Sequence, residues 1–292
     1  MIRLFFLSFL IVTTARVCAQ PHAEKVQSFA PGIISGDSLE FNAAFSTDGK
    51  SFYFTRSVNK RSQLYYSVYL KDGWSIPAPL SFSNTNYSDA DPALSPAGEL
   101  YFISTRPTHS NDTTKDYDIW KVKLLSSGQW SQPVHVKELN SPEDEYYISF
   151  TRKGDACFAS SRKGGYGEED IYFSEYQNNI FLEPRNMGST INTSQSEYDP
   201  FITANGAALI FTSSGRRGSL GKADLYWSVK TTNGWREPDH FNEAINTSSR
   251  DYCPYISPDN KYIFYSSGGD IKYTRIDSLP AILANCIATR SY

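Results

Sequence analysis

The 292-residue chain carries 28 Lys and Arg against 31 Asp and Glu, a formal charge of −3, with 40% hydrophobic and 15% aromatic residues. An acidic balance excludes nucleic acid as the expected partner, because phosphate backbones are held by a basic face. Twenty Tyr and 18 Phe against only two Met favour strands over helices.

The first 20 residues read MIRLFFLSFLIVTTARVCAQ. Arg3 precedes an apolar run from Leu4 to Val12, far short of the roughly 20 residues a membrane helix needs, and Val17-Cys18-Ala19 ends it with small residues. Residues 1–19 are therefore expected to be a secretory signal peptide. The alternative is a lipoprotein signal with Cys18 acylated, although Arg16 and Val17 suit it poorly. Either way the chain is expected to be exported, to the periplasm or beyond. Losing Arg3 and Arg16 with the leader takes the formal charge to −5. No later apolar run is long enough to span a membrane. The remaining cysteines, Cys157, Cys253 and Cys286, are odd in number, so at least one is unpaired within the chain. A Cys253–Cys286 bridge is permitted in an oxidising compartment but not demanded.

From Glu40 onward the sequence repeats. EFNAAFSTDG (Glu40), DADPALSPAG (Asp89), EYYISFTRKG (Glu145), EYDPFITANG (Glu197) and DYCPYISPDN (Asp251) align without gaps. Each ends on a Gly or Asn suited to a tight turn. An apolar strand follows (SFYFT, LYFIS, ACFAS, LIFTS, YIFYS), then a variable loop, then a third strand opened by Gln63, Asp118, Asp170, Asp224 or Asp270. A fourth strand is read at Trp74…Pro77, Trp130…Pro133, Phe181…Pro184 and Trp235…Pro238. Four short strands per unit of about 50 residues describe a propeller blade. The fifth unit lacks its fourth strand, and Phe29-Ala30-Pro31, ahead of the first unit, supplies a match. The sequence thus predicts an all-β, five-bladed β-propeller over residues 20–276, closed by the N-terminal strand completing the last blade. Residues 277–292 form a C-terminal tail; six blades are the alternative if that tail hides a degenerate unit.

SSRKGGYGEEDIYFS (Ser160–Ser174) and INTSQSEYDPFITANG (Ile191–Gly206) resemble the TolB-type, WD-repeat-like β-propeller repeats of bacterial envelope proteins. The resemblance covers roughly residues 25–276. It implies the propeller fold and a place in the cell envelope; activity does not follow, since one fold hosts many functions.

The repeat also sorts the chemistry. The first aligned column is acidic throughout (Glu40, Asp89, Glu145, Glu197, Asp251), and the second strands end near Arg56, Arg106, Arg162 and Arg216. Four of the acids follow an Asn-hydroxyl pair: Asn84-Thr85, Asn140-Ser141, Asn192-Thr193 and Asn246-Thr247. Acids and arginines could form a polar ligand-binding rim around the channel. The competing reading, that they cap turns and pair within each blade, better explains a residue repeated in every unit. Departures from the repeat are then the informative positions. The third column reads Asn42, Asp91, Tyr147, Asp199, Cys253, and Asp251 has Gly268-Gly269 where an arginine is expected. Asp91 and Asp199, with Asp251, are the best candidates to face a ligand. Clustered carboxylates could take calcium, although no calcium-loop spacing is present, so no cofactor is expected otherwise.

Two functions follow. The preferred one is a binding or scaffolding module for an envelope protein, peptide or glycan, recognised on the face carrying loops Pro107–Tyr117 and Ser213–Ala223. The alternative is a glycoside-processing enzyme using Asp91, Asp199, Glu145 and Asp251. No G-x-S-x-G element or metal-spaced histidines support other chemistries. KGGYG (Lys163–Gly167) lies between strands and reads as a turn. Trp227 and Tyr166 break the repeat and could stack on a ligand.

Overall fold

The computed structural model describes residues 25–288, so residues 1–19, with Cys18, lie outside it. Five sheets stand in a ring. Blade 1 comprises Glu40–Phe45, Ser51–Val58, Arg61–Leu70 and Ala78–Pro79; blade 2, Asp89–Leu94, Leu100–Ser104, Asp118–Val122 and Val134–His135. Blade 3 comprises Glu145–Phe150, Ala156–Ser160, Asp170–Ser174 and Arg185–Asn186; blade 4, Ser196–Ile202, Ala208–Ser214, Asp224–Thr231 and Asp239–His240. Blade 5 has Asp251–Ile256, Tyr262–Ser267 and Asp270–Arg275 from its own repeat. The five first strands neighbour one another cyclically and line the axis.

The fourth strand of blade 5 is Gln27–Ser28, paired to Tyr273 and Lys272. Closure therefore comes from the N-terminal segment, and no sixth blade exists among the described residues. Phe29, the next residue, donates its amide to the Ile271 carbonyl at 2.8 Å. Its ring packs against Phe45, Phe52 and Trp74 of blade 1 and Phe264 and Tyr273 of blade 5, with centroids 4.8–5.9 Å apart. One side chain thus joins the cores on both sides of the seam.

The fourth strands differ from the sequence reading. The aromatic before each proline pairs back onto the outer end of the third strand, as Trp74 does with Tyr69 and Trp235 with Lys230. The proline that follows has no amide hydrogen to continue a ladder, so pairing stops there. It resumes one or two residues later on the inner part of the same third strand, as Ala78 does with Tyr66.

The tail is a helix, Ala281–Ala288, rather than a further sheet. Leu283 and Ile287 are buried with Ile210, Trp227, Val229, Ile256 and Ile263, which caps the core under blades 4 and 5. Trp227 is consequently 5% exposed and unavailable to stack on a ligand, whereas Tyr166 is exposed. The three cysteines among the described residues are free, which corrects the permitted Cys253–Cys286 bridge: Cys253 lies at the axis and Cys286 on the tail helix.

Phe29→Ala should therefore loosen the seam. The expected loss is about 2–4 kcal/mol, somewhat below a fully buried phenylalanine deletion because the ring is half-buried. Urea unfolding of the two proteins checks it, and equal midpoints would show that Phe29 does not hold the ring.

Candidate functional site

The joints between blades explain the acidic column. Asn140, Asn192 and Asn246 each grip one residue of the preceding blade's third strand at both its amide and its carbonyl. Their Oδ1 atoms accept from the amides of Ile119, Ile171 and Leu225 at 2.7–2.8 Å, and their Nδ2 atoms donate to the same residues' carbonyls at 3.0 Å. Asn84 departs from this, and Ser83 Oγ accepts the Leu64 amide instead, at 3.0 Å. The following hydroxyl residue turns the chain onto the acid. Glu145 accepts from the Ser141 amide and hydroxyl, Glu197 from those of Thr193, and Asp251 from those of Thr247.

The arginines complete the joints. Arg56, Arg106, Arg162 and Arg216 lie 2.8, 2.7, 3.1 and 3.9 Å from Glu40, Asp89, Glu145 and Glu197. Each guanidinium also lies over two aromatic rings of its blade, as Arg162 does over Phe158 and Tyr172. Asp251 has Thr247 and Ser267 in place of an arginine. All five acids are at most 1% exposed and point into the joints, not toward the axis. Burial raises the pKa of Glu40, Glu145 and Asp251, with their hydrogen bonds opposing it. Asp170, which opens a third strand, is used similarly: it accepts the Tyr166 and Gly167 amides, so KGGYG wraps a carboxylate and is a turn.

The axis belongs to the third column. Each first strand carries a bulge there, and Asn42, Asp91, Tyr147, Asp199 and Cys253 all have φ between 35° and 61°. Such left-handed backbone costs an L-residue about 1–2 kcal/mol. The freed amides find partners in the neighbouring blade: Asn42 donates to Ser266 Oγ, Asp91 to Thr55 Oγ1 and Cys253 to Asp199 Oδ2. Tyr147 crosses the axis, its hydroxyl donating to the Pro254 carbonyl of blade 5 at 2.5 Å. A depression lies on the face where the first strands begin.

That depression has two adjoining lobes of about 430 and 410 Å³ that share Phe41, Asp91, Tyr146, Arg250 and Tyr252. Tyr198, Asp199, Cys253, Glu168 and Glu169 line one lobe; Tyr117, Lys60 and Arg61 line the other. The exposed Arg250 guanidinium sits 5.7 and 5.8 Å from the Tyr198 and Tyr252 ring centroids. Of the sequence candidates, the structure brings Asp91 and Asp199 to this depression and leaves Glu145 and Asp251 in the joints. Asp91 accepts from Asn42 Nδ2 at 3.3 Å; Asp199 accepts from the Cys253 amide at 3.2 Å and thiol at 3.5 Å. Among the described residues no group of three or more His, Cys, Asp or Glu side chains is placed to hold a metal ion.

Arg250 and Tyr147 went unread in the sequence. The residue before the acidic column reads Leu39, Ser88, Asp144, Ser196, Arg250, so a single cation stood out there.

No protein-family model and no curated protein matches the sequence. Among solved structures, TolB from Acinetobacter baumannii superposes with a TM-score of 0.53 at 17% identity, over 83% of this chain and 55% of that one. A TolB from Agrobacterium tumefaciens gives 0.51 at 15%, over 78% and 69%. The likeness is one of fold. A thermostable family-43 glycoside hydrolase gives 0.55 at 13% identity, over 82% and 90%. The chain thus spans about half of the first TolB structure, and the same propeller architecture is shared with a hydrolase.

Burial pushes both axial carboxyls up, Asp91 to about 6 and Asp199 to about 8, with the Asp91 charge adding to Asp199. The folded state therefore holds protons that the unfolded chain releases near its ordinary carboxylate value. Stability contributed by the protonated pair is full below that value and is lost as pH rises toward 8. Asp199→Asn should remove much of this decline, raising Tm at pH 9 by about 2–4 °C per kcal/mol recovered and changing it little at pH 4. Parallel Tm–pH curves for the two proteins would refute the assignment.

Proposed function

We propose that the protein is a binding module of the cell envelope, exported by residues 1–19, which takes a peptide segment of a partner protein into the axial depression. The observation that supports this most is the composition of the mouth. Phe41, Tyr146, Tyr198 and Tyr252 surround an exposed guanidinium, and tyrosine and arginine are the residues that anchor protein interfaces. Arg250 suits a peptide carboxylate or a carbonyl, while the rings offer rigid apolar faces. Loop Pro107–Tyr117 contributes Tyr117 to the wall, and loop Ser213–Ala223 contributes Ser214. Membrane anchoring through the folded part is not needed: among the described residues no helix is long and apolar enough to cross a membrane.

A second reading has a specific observation in its favour. Glycoside hydrolysis needs one carboxyl held protonated as the acid beside another that ionises as base or nucleophile, and burial raises Asp199 further than Asp91. Against it, Asp199 holds the Cys253 amide and Asp91 holds Asn42, so both serve the ring. They are 5–6% exposed.

The double variant Arg250→Ala/Tyr252→Ala should weaken capture of a partner from envelope extract at least about tenfold, the effect of central interface anchors, with Tm unchanged. Undiminished capture would remove the axial site from the function. Turnover of aryl arabinofuranosides that disappears in Asp199→Asn would instead establish the enzymatic reading.

A further inference from the structure

We infer that a second site, the groove between the outer parts of blades 3 and 4, binds an acidic oligosaccharide. The groove encloses about 820 Å³, within the range that holds small ligands. It opens at the turns following the first strands, the face opposite the axial depression. Arg152, Lys153, Arg185 and Lys230 line it, all exposed, on a chain whose formal charge is negative. Its only carboxylate, Asp155, is already held by Thr151 Oγ1 at 2.9 Å and the Tyr176 amide at 3.0 Å.

Several other cations of this protein are paired with carboxylates. Lys121 and Lys123 share Glu99, Lys272 lies on Asp270, and Arg275 on Asp277. Lys153, Arg185 and Lys230 form no ion pair among the described residues. Three such charges converging on one concave surface repel one another, and an anionic ligand relieves that repulsion. Trp235 decides what kind of anion fits. Its half-buried indole forms one wall, with Lys230 Nζ 5.9 Å from the ring centroid. A pyranose offers a flat apolar C–H face to such a ring, while its carboxylates or sulfates reach the surrounding cations. A nucleic acid needs a longer basic track than one groove on an acidic protein provides.

Calorimetric titration of the purified protein at low ionic strength tests this with four probes. These are a galacturonate tetramer, its methyl ester, hexaglutamate and a single-stranded oligothymidylate. The galacturonate tetramer should bind and be weakened by added salt, and the ester should fail. Arg185→Gln/Lys230→Gln should weaken binding about tenfold or more, the loss expected for charge-assisted contacts. Trp235→Leu should weaken it too, and Arg250→Ala should not. The last control separates this groove from the axial site, so either reading can fail alone. The inference is overturned if the tetramer does not bind, if the ester binds equally, or if the double variant binds like the parent. It is also overturned if hexaglutamate or the oligonucleotide binds more tightly than the tetramer.

Discussion

Five carboxylates are buried so that five blades can be joined. At each joint the chain leaves an outer strand and enters an inner one, and its main-chain groups must find partners away from water. In four joints the first-column carboxylate (Glu40, Glu145, Glu197, Asp251) accepts from an amide of the turn before it, and in three an asparagine supplies both a donor and an acceptor to the preceding blade. A buried carboxylate is costly unless it is hydrogen-bonded and charge-paired. Glu145 meets that condition with two bonds from Ser141, one from Ser160 and the Arg162 guanidinium. A side chain so committed has no lone pairs to spare for substrate, and that is why the most regular acids of the sequence are the least available for chemistry.

Freedom to bind lies where the repeat is broken. The third column keeps its backbone conformation in all five blades while its side chains differ: an amide, two carboxyls, a phenol and a thiol. The bulge is therefore the architectural constant, and the identity of the residue on it is what each blade contributes to the axis. Tyr147 spends its contribution on a hydrogen bond across the axis to blade 5. Asp91 and Asp199 stay near the open end, where they share a low-dielectric setting that favours their neutral forms.

Much of this was legible before any coordinates. Repeat length, turn residues and the missing fourth strand were enough for five blades and for closure at the N-terminal segment. The strand that follows each proline was misplaced because the aromatic before it is the louder signal. Only the geometry of a hairpin folded onto the third strand shows that the proline separates two pairings. Positive φ at the third column was invisible, since Tyr147 and Cys253 are residues that sequence rules keep out of left-handed backbone. The basic groove had left a trace: blade 3 carries Arg152-Lys153 in the hairpin turn where the other repeats carry Thr-Asp, Pro-Ala, Ala-Asn and Pro-Asp. Its meaning depended on Arg185 and Lys230, which come from other strands and meet those two only in the fold.

The Tyr147 side chain lies across the axis, hydrogen-bonded to the Pro254 carbonyl of blade 5. The blades themselves also join the two faces. The path with the fewest steps is blade 4, whose inner strand carries Asp199 and whose first hairpin turn, Asn205 to Ala207, lines the groove. That strand is fixed at both ends: Glu197 holds the joint, and Asn205 Nδ2 donates to the Cys286 carbonyl of the tail helix at 2.9 Å. A strand pinned in this way transmits little displacement between the two faces.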